Sequence, residues 1–182
     1  MLRFITGGAR SGKSSFAEKL IEKSTGTTAY IATAVPFDDG MRDRIAQHRS
    51  RRPSEWATIE QYKNYRDLPD NPDFQQADNI LFDCVTVMIT NNMMDAGIDY
   101  DSCSMEQIHA LEDGIRAEVE DLISVLSEKN AVIVSNELGS GLVPAYRMGN
   151  YFRDIAGRMN QEIAAAADEV YLTVSGIPVQ IK

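Results

Sequence analysis

Along the chain the apolar residues fall into two rhythms. Short solid runs occupy 2–5, 27–34 (TTAYIATA), 80–84 (ILFDC) and 131–137 (AVIVSNE). They are brief, rich in β-branched residues and lack alternation, which predicts strands covered on both faces. Between them apolar residues recur at helical spacing. Phe16, Ala17, Leu20 and Ile21 share one face directly after the first run. The segment 38–52 reads as a helix with acids at its start and Pro53 behind it, and 85–94 (VTVMITNNMM) as another. Ser104 caps a long helix reaching about Lys129, with Met105, Ile108, Leu111, Ile115, Val119, Leu122 and Leu126 inward. Its acids Glu106, Glu112, Asp113, Glu118 and Asp121 read as a solvated face. A last helix, 149–167, turns Phe152, Ile155, Met159 and Ile163 inward.

A short strand is expected at 56–60 (WATIE), and Pro, Asp and Asn mark loops at 66–79 and 95–103. The tail, 169–182, reads as two strands around Ser175-Gly176, a terminal β-hairpin. Strands alternating with helices predict an α/β fold with a mostly parallel sheet flanked by helices. The whole chain, 1–182, is expected to form one domain. Ligands of such sheets gather beyond the carboxyl ends of the strands. That is where the pattern puts 6–14, Asp83 and Glu137.

Composition narrows the function. The chain is 43% hydrophobic and 25% charged, ordinary for a globular protein, and its net charge of −9 argues against a general nucleic-acid binder. Positive charge is therefore informative where it clusters. Cys84 and Cys103 form neither a CxxC nor a zinc spacing, so free thiols in a reducing compartment are expected. Neither a signal-peptide pattern nor a run of membrane-spanning length is visible, which predicts a cytoplasmic protein.

The stretch TGGARSGKS (6–14) contains Gly7, four residues, then Gly12-Lys13-Ser14, the P-loop spacing at a strand-to-helix junction. Glycines let successive amide N–H groups of Gly7, Gly8, Ala9, Arg10, Ser11 and Gly12 turn toward phosphate oxygens, and the following helix adds its positive end. Lys13 then reaches the β- and γ-phosphates and the Ser14 hydroxyl reaches Mg²⁺. The ligand class is a nucleoside triphosphate. Asp83 ends an apolar strand, the position at which P-loop enzymes hold their metal; a helix cap is the plainer alternative. Glu137 follows VIVSN in the same way and serves as metal partner, proton acceptor or simple polar exit. The base-reading motif NKxD is absent, which disfavours a signalling GTPase.

Of the two histidines, His109 stands among polar residues of the long helix and reads as structural. His48 shares a helix face with Met41, Ile45 and Arg52 and is surrounded by Arg42, Arg44, Arg49, Arg51 and Arg52. A neutral imidazole can attack the α-phosphorus of a triphosphate while arginines neutralise the leaving pyrophosphate. A basic helix whose histidine packs at the core edge is the plainer reading of the residues alone, with nucleophilic attack left as the alternative.

The segments TGGARSGKS (6–14), YIATA (30–34), RIAQHRSRRP (44–53), WATIE (56–60), DCVTVMITN (83–91), VSNELGSGLVP (134–144) and 152–182 together resemble the bifunctional adenosylcobinamide kinase/adenosylcobinamide-phosphate guanylyltransferases of cobalamin biosynthesis. The resemblance implies a RecA-like P-loop fold, a homotrimer and two reactions. In the first, ATP or GTP phosphorylates the aminopropanol hydroxyl of adenosylcobinamide. In the second, GTP passes GMP to a histidine and then to the corrinoid phosphate. It implies His48 as the guanylylated residue and Lys13 as catalytic. It implies nucleotide contacts at Gly7 to Ser14, Ala32, Thr33, Ala34, Arg49, Ser50, Arg51, Arg52, Glu60 and Asp83, with Mg²⁺ at Ser14 and Asp83. Two departures, Gly40 where the family often has an acid and Met88 in place of an aromatic, bear on substrate fit. Rival readings are a P-loop kinase without nucleotidyl transfer and a P-loop nucleotide-dependent switch.

Overall fold

In the computed structural model, which describes residues 1–35 and 52–182, the apolar runs form one seven-stranded sheet. The elements are β1 (Leu2–Thr6), α1 (Lys13–Glu22), β2 (Thr28–Ala32), β3 (Ala57–Glu60), a 3-10 turn (Tyr65–Asp70), α2 (Pro72–Gln76), β4 (Asn79–Asp83), α3 (Val85–Asp95), α4 (Met105–Leu126), β5 (Asn130–Val134), α5 (Arg147–Ala166), β6 (Glu169–Val174) and β7 (Ile177–Gln180). Across the sheet the order is β3-β2-β4-β5-β1-β6-β7. Every pairing is parallel except β6 with β7, the expected terminal hairpin. The helix expected at 38–52 lies outside the described residues apart from Arg52. No helix among those described is long and apolar enough to cross a membrane.

Because successive strand residues point to opposite faces, each apolar run supplies two cores. Phe4, Ile31, Phe82 and Ile133 pack under α3, α4 and α5, together with Val85, Met88, Val119, Leu122, Ile155 and Met159. Ile5, Tyr30, Leu81, Val132 and Val134 pack on the other face against Ala17 and Ile21 of α1. Met88 is fully buried in the first of these cores.

Three expectations are corrected. The loop at 66–79 contains the 3-10 turn and α2. Asn71 caps α2 by accepting from the Asp73 and Phe74 N–H groups, Pro72 occupies the first turn, and Tyr65, Leu68 and Phe74 anchor the segment in the core. Those are helix-start signals that the abundance of Pro and Asp masks. Nor is the acidic side of α4 uniformly solvated. Glu118 accepts from the Asn64 and Tyr65 N–H groups at 2.9 and 3.2 Å, and Asp121 pairs with Arg66. Glu112 is buried and takes hydrogen bonds from Arg158 at 2.8 Å and Arg116 at 3.1 Å. Met105, expected inward, is 51% exposed. The capping box itself forms, with Ser104 and Gln107 each bonding the other's backbone.

Hydrogen bonds from Arg158, then the charges of Arg158 and Arg116, hold the Glu112 carboxyl below the usual glutamate value of 4.5 against the opposing effect of burial. A depressed folded-state value means the pair stabilises the fold above that pH and stops doing so as pH falls through it. Glu112→Gln is expected to cost about 1–2 kcal/mol in urea denaturation at pH 7, since both arginines keep solvent contact. The difference from the parent protein should shrink as the pH is lowered below 4.5.

Candidate active site

The site begins at the end of β1. Gly12 sits at φ +95° as the N-cap of α1, a conformation that an L side chain resists. Its carbonyl receives the Phe16 N–H at 3.0 Å, and no side chain caps the first turn. The leading amides of α1 therefore face the loop mouth with the helix dipole behind them. Gly7 is required by close approach: a Cβ there would collide with the Thr173 carbonyl oxygen on β6. The hairpin also holds the loop through the Gly176 N–H, which donates to the Ser11 carbonyl at 2.8 Å. From the other side the Glu137 N–H donates to the Gly7 carbonyl at 2.9 Å. The loop is thus clamped between the exits of β5 and β6.

Lys13 is buried, and its Nζ donates to the Gly8 carbonyl at 2.8 Å. Burial lowers its pKa, while the neighbouring Cys84 and Asp83 oppose that shift. Gly8, Ala9 and Arg10 are exposed at the loop crest, and Ser14 is half-buried one residue into α1.

Strand register assembles the rest. Ala32 pairs with Glu60 on one side and Asp83 on the other, and Asp83 pairs with Val134, which pairs with Ile5. Partners in register share a face, so Glu60, Ala32 and Asp83 form one row on the α1 face, at the same sheet end as the loop. Thr33 fixes this row: its hydroxyl donates to the Cys84 carbonyl at 2.9 Å and accepts the Cys84 N–H at 2.8 Å. Asn91 donates to the Thr33 carbonyl at 2.7 Å. Ala34 follows, half-buried. Arg52 places its guanidinium carbon 3.6 Å from the centre of the Tyr30 ring. The Tyr30 hydroxyl in turn donates to Asp83 Oδ2 at 3.1 Å. Burial, reinforced by the Asp83 charge, pushes the Tyr30 phenol well above its usual range.

The structure therefore brings together the loop, Lys13, Ala32 to Ala34, Glu60, Asp83 and Arg52. His48, Arg49, Ser50 and Arg51 lie outside the described residues, as does Gly40. Glu137 turns its carboxylate onto its own turn, with Oε1 accepting the Gly139 N–H at 2.7 Å. Cys84 and Cys103 are free thiols as expected. Burial, followed by the Asp83 charge, pushes the Cys84 thiol up to about 11. No group of three or more His, Cys, Asp or Glu gathers as a metal cage among the described residues. Ser14 and Asp83 are hard oxygen donors, a type whose chemistry fits Mg²⁺. A separate cavity of about 610 Å³ between α4 and α5 is lined by His109, Glu112, Arg116, Arg158 and their neighbours and shares no residue with the loop.

Sequence reasoning overlooked Tyr30 and Thr173. Tyr30 carried a usable signal, since it stands two residues before Ala32 and so on the same strand face. Thr173 carried none, because its contact with Gly7 exists only once β6 pairs with β1.

Residues 3–181 match the family described as cobinamide kinase / cobinamide phosphate guanyltransferase (CobU). The chain is 46% identical to the bifunctional adenosylcobalamin biosynthesis protein CobU of Escherichia coli (strain K12), over 100% of both chains. It is 44% identical to the protein of the same name from Salmonella typhimurium, again over 100% of both. To the bifunctional adenosylcobalamin biosynthesis protein CobP of Pseudomonas aeruginosa it is 35% identical, over 100% of this chain and 98% of that one. Among solved structures it is similar to a prototypical ATPase from a bacterial type III secretion system, with a TM-score of 0.54 at 9% identity, over 98% of this chain and 56% of that one. That likeness concerns the fold alone and agrees with a P-loop NTPase architecture. With the match running almost from end to end and the relatives aligned at full length, the chain belongs to the cobinamide kinase / cobinamide phosphate guanyltransferase family.

Proposed function

We propose that this chain, acting as one domain over residues 1–182, runs both reactions of its family on a single phosphate grip. The observation that carries the reading is the convergence of the clamped glycine loop, buried Lys13 and the Glu60–Ala32–Asp83 row at one sheet end, with Arg52 brought to the same strand.

In the kinase step the loop amides and Lys13 hold the β- and γ-phosphates of ATP or GTP. The aminopropanol hydroxyl oxygen of adenosylcobinamide attacks the γ-phosphorus, the bond to the β–γ bridging oxygen breaks, the nucleoside diphosphate leaves and the hydroxyl proton passes to water. In the transfer step a neutral ring nitrogen of His48 attacks the α-phosphorus of GTP and pyrophosphate leaves, its charge balanced by Arg49, Arg51 and Arg52. An oxygen of adenosylcobinamide phosphate then attacks the same phosphorus. The P–N bond breaks, restoring His48 and giving adenosylcobinamide-GDP. Ala32, Thr33, Ala34, Ser50 and Glu60 complete the nucleotide site. Ser14 and Asp83 would hold Mg²⁺, which would supply charge neutralisation at the phosphates. The family resemblance supports a homotrimer, and a cytoplasmic setting suits nucleotide substrates.

Incubation with Mg²⁺ and GTP labelled at the α-phosphate, followed by denaturation, tests the reading. The expected product is an acid-labile, base-stable label on the protein that vanishes in His48→Ala, while kinase turnover on adenosylcobinamide persists. Absence of label in the parent protein with kinase turnover intact would leave a plain kinase. Lys13→Ala is expected to lower both rates by about a hundredfold or more, because it removes a cation aimed at the phosphates in both steps. Steady-state assay of each half-reaction measures this.

A further inference from the structure

Tyr30 touches two groups of the proposed site that come from different parts of the chain. The residue is 4% exposed and packs in the α1-face core with Ile5, Ala17, Ile21, Leu81 and Val132. That packing leaves the ring little freedom. At its tip the hydroxyl donates to Asp83 Oδ2 at 3.1 Å, across from β2 to the end of β4. On its face lies the Arg52 guanidinium, 3.6 Å from the ring centre. Arg52 directly follows the His48-Arg49-Ser50-Arg51 run in sequence.

We propose that Tyr30 is a positioning residue for the nucleotide chemistry. Its hydroxyl orients the Asp83 carboxylate toward the phosphate loop, and its ring seats Arg52 at the nucleotide. This inference rests on the two-step reading above and adds a role for a residue outside the phosphate-contacting set. A hydrogen bond to one carboxylate oxygen fixes the plane of the group and leaves the other oxygen for the metal, as outer partners of metal ligands commonly do. A planar guanidinium stacked on an aromatic face keeps its N–H edges available for phosphate oxygens. One rigid side chain thereby sets the spacing between a carboxylate and a cation that act on the same triphosphate.

The two contacts separate by substitution. Tyr30→Phe keeps the ring and removes the hydroxyl, while Tyr30→Leu removes both. Equilibrium titration with a fluorescent non-hydrolysable GTP analogue, with graded Mg²⁺ and in EDTA, reads them without turnover. Tyr30→Phe should raise the Mg²⁺ concentration for half-maximal nucleotide binding by about tenfold and leave affinity in EDTA unchanged. Tyr30→Leu should in addition weaken binding in EDTA by about fivefold. Arg52→Ala should then cost nothing more in the Tyr30→Leu background.

A wild-type Mg²⁺ dependence in Tyr30→Phe overturns the inference, and so does full additivity of Tyr30→Leu with Arg52→Ala. A ring with only a structural role would lower the Tm of both variants without moving the Mg²⁺ dependence, which is the same overturning result. Should Tyr30→Leu not fold, Tyr30→Phe decides alone. Failure of the parent protein to bind the analogue overturns the two-step reading as well, whereas normal parent binding with an unaltered Tyr30→Phe overturns the role of Tyr30 only.

Discussion

The site hangs on the in-register parallel pairing that carries β3, β2, β4, β5 and β1 side by side. Glu60, Ala32 and Asp83 meet in a row because their strands are aligned to the residue. A slip of one position would turn Asp83 toward the other face, where Phe82 now packs beneath α3 and α4. Burying an unpaired carboxylate there costs several kcal/mol, roughly a large share of a domain's net stability. The two apolar faces therefore lock the register, and the register places the carboxylates. Core packing and site geometry are one constraint seen from two ends of the same strands.

The antiparallel hairpin belongs to the same constraint. It adds β7 at the sheet edge, and it also brings the Thr173 carbonyl against Gly7 and the Gly176 N–H onto Ser11. With the Glu137 N–H on Gly7 from the β5 side, the glycine loop is held from both flanks. A loop shaped before its ligand arrives loses little conformational entropy on binding, so more of each phosphate contact appears as affinity. The permissive residues of the P-loop are thus not slack. Their freedom is spent on a close approach that no side chain allows.

Much of this was legible in the sequence, and the reasons differ by feature. The strands declared themselves because parallel strands buried on both faces read as unbroken apolar runs, as in 80–84. The phosphate loop declared itself because its spacing has one mechanical purpose. Asp83 was legible as the polar end of an apolar strand, and the structure places it on the loop's face. Short helices hid in 66–79 because turn-forming residues also start helices. The buried pairing of Glu112 was hidden because its partner Arg158 sits on another helix, a contact that one-dimensional periodicity does not contain. Tyr30 was hidden in a strand that explained it adequately as β-former and core.

The resting contact of Lys13 shows how the arrangement stays ready. Its ammonium, buried and desolvated, rests on the neutral Gly8 carbonyl. An isolated buried ammonium would give up its charge, and burial does lower its pKa, but the nearby Asp83 works against that loss. A phosphate oxygen carries formal charge and makes a stronger hydrogen bond than a carbonyl does. An arriving triphosphate can therefore draw Lys13 from the loop without breaking an ion pair. Desolvation also means that little water must be stripped from the ammonium at that moment, and the attraction acts in a medium of low dielectric. The same burial that makes Lys13 costly to keep charged makes its charge effective, and the charge of Asp83 nearby works against that cost.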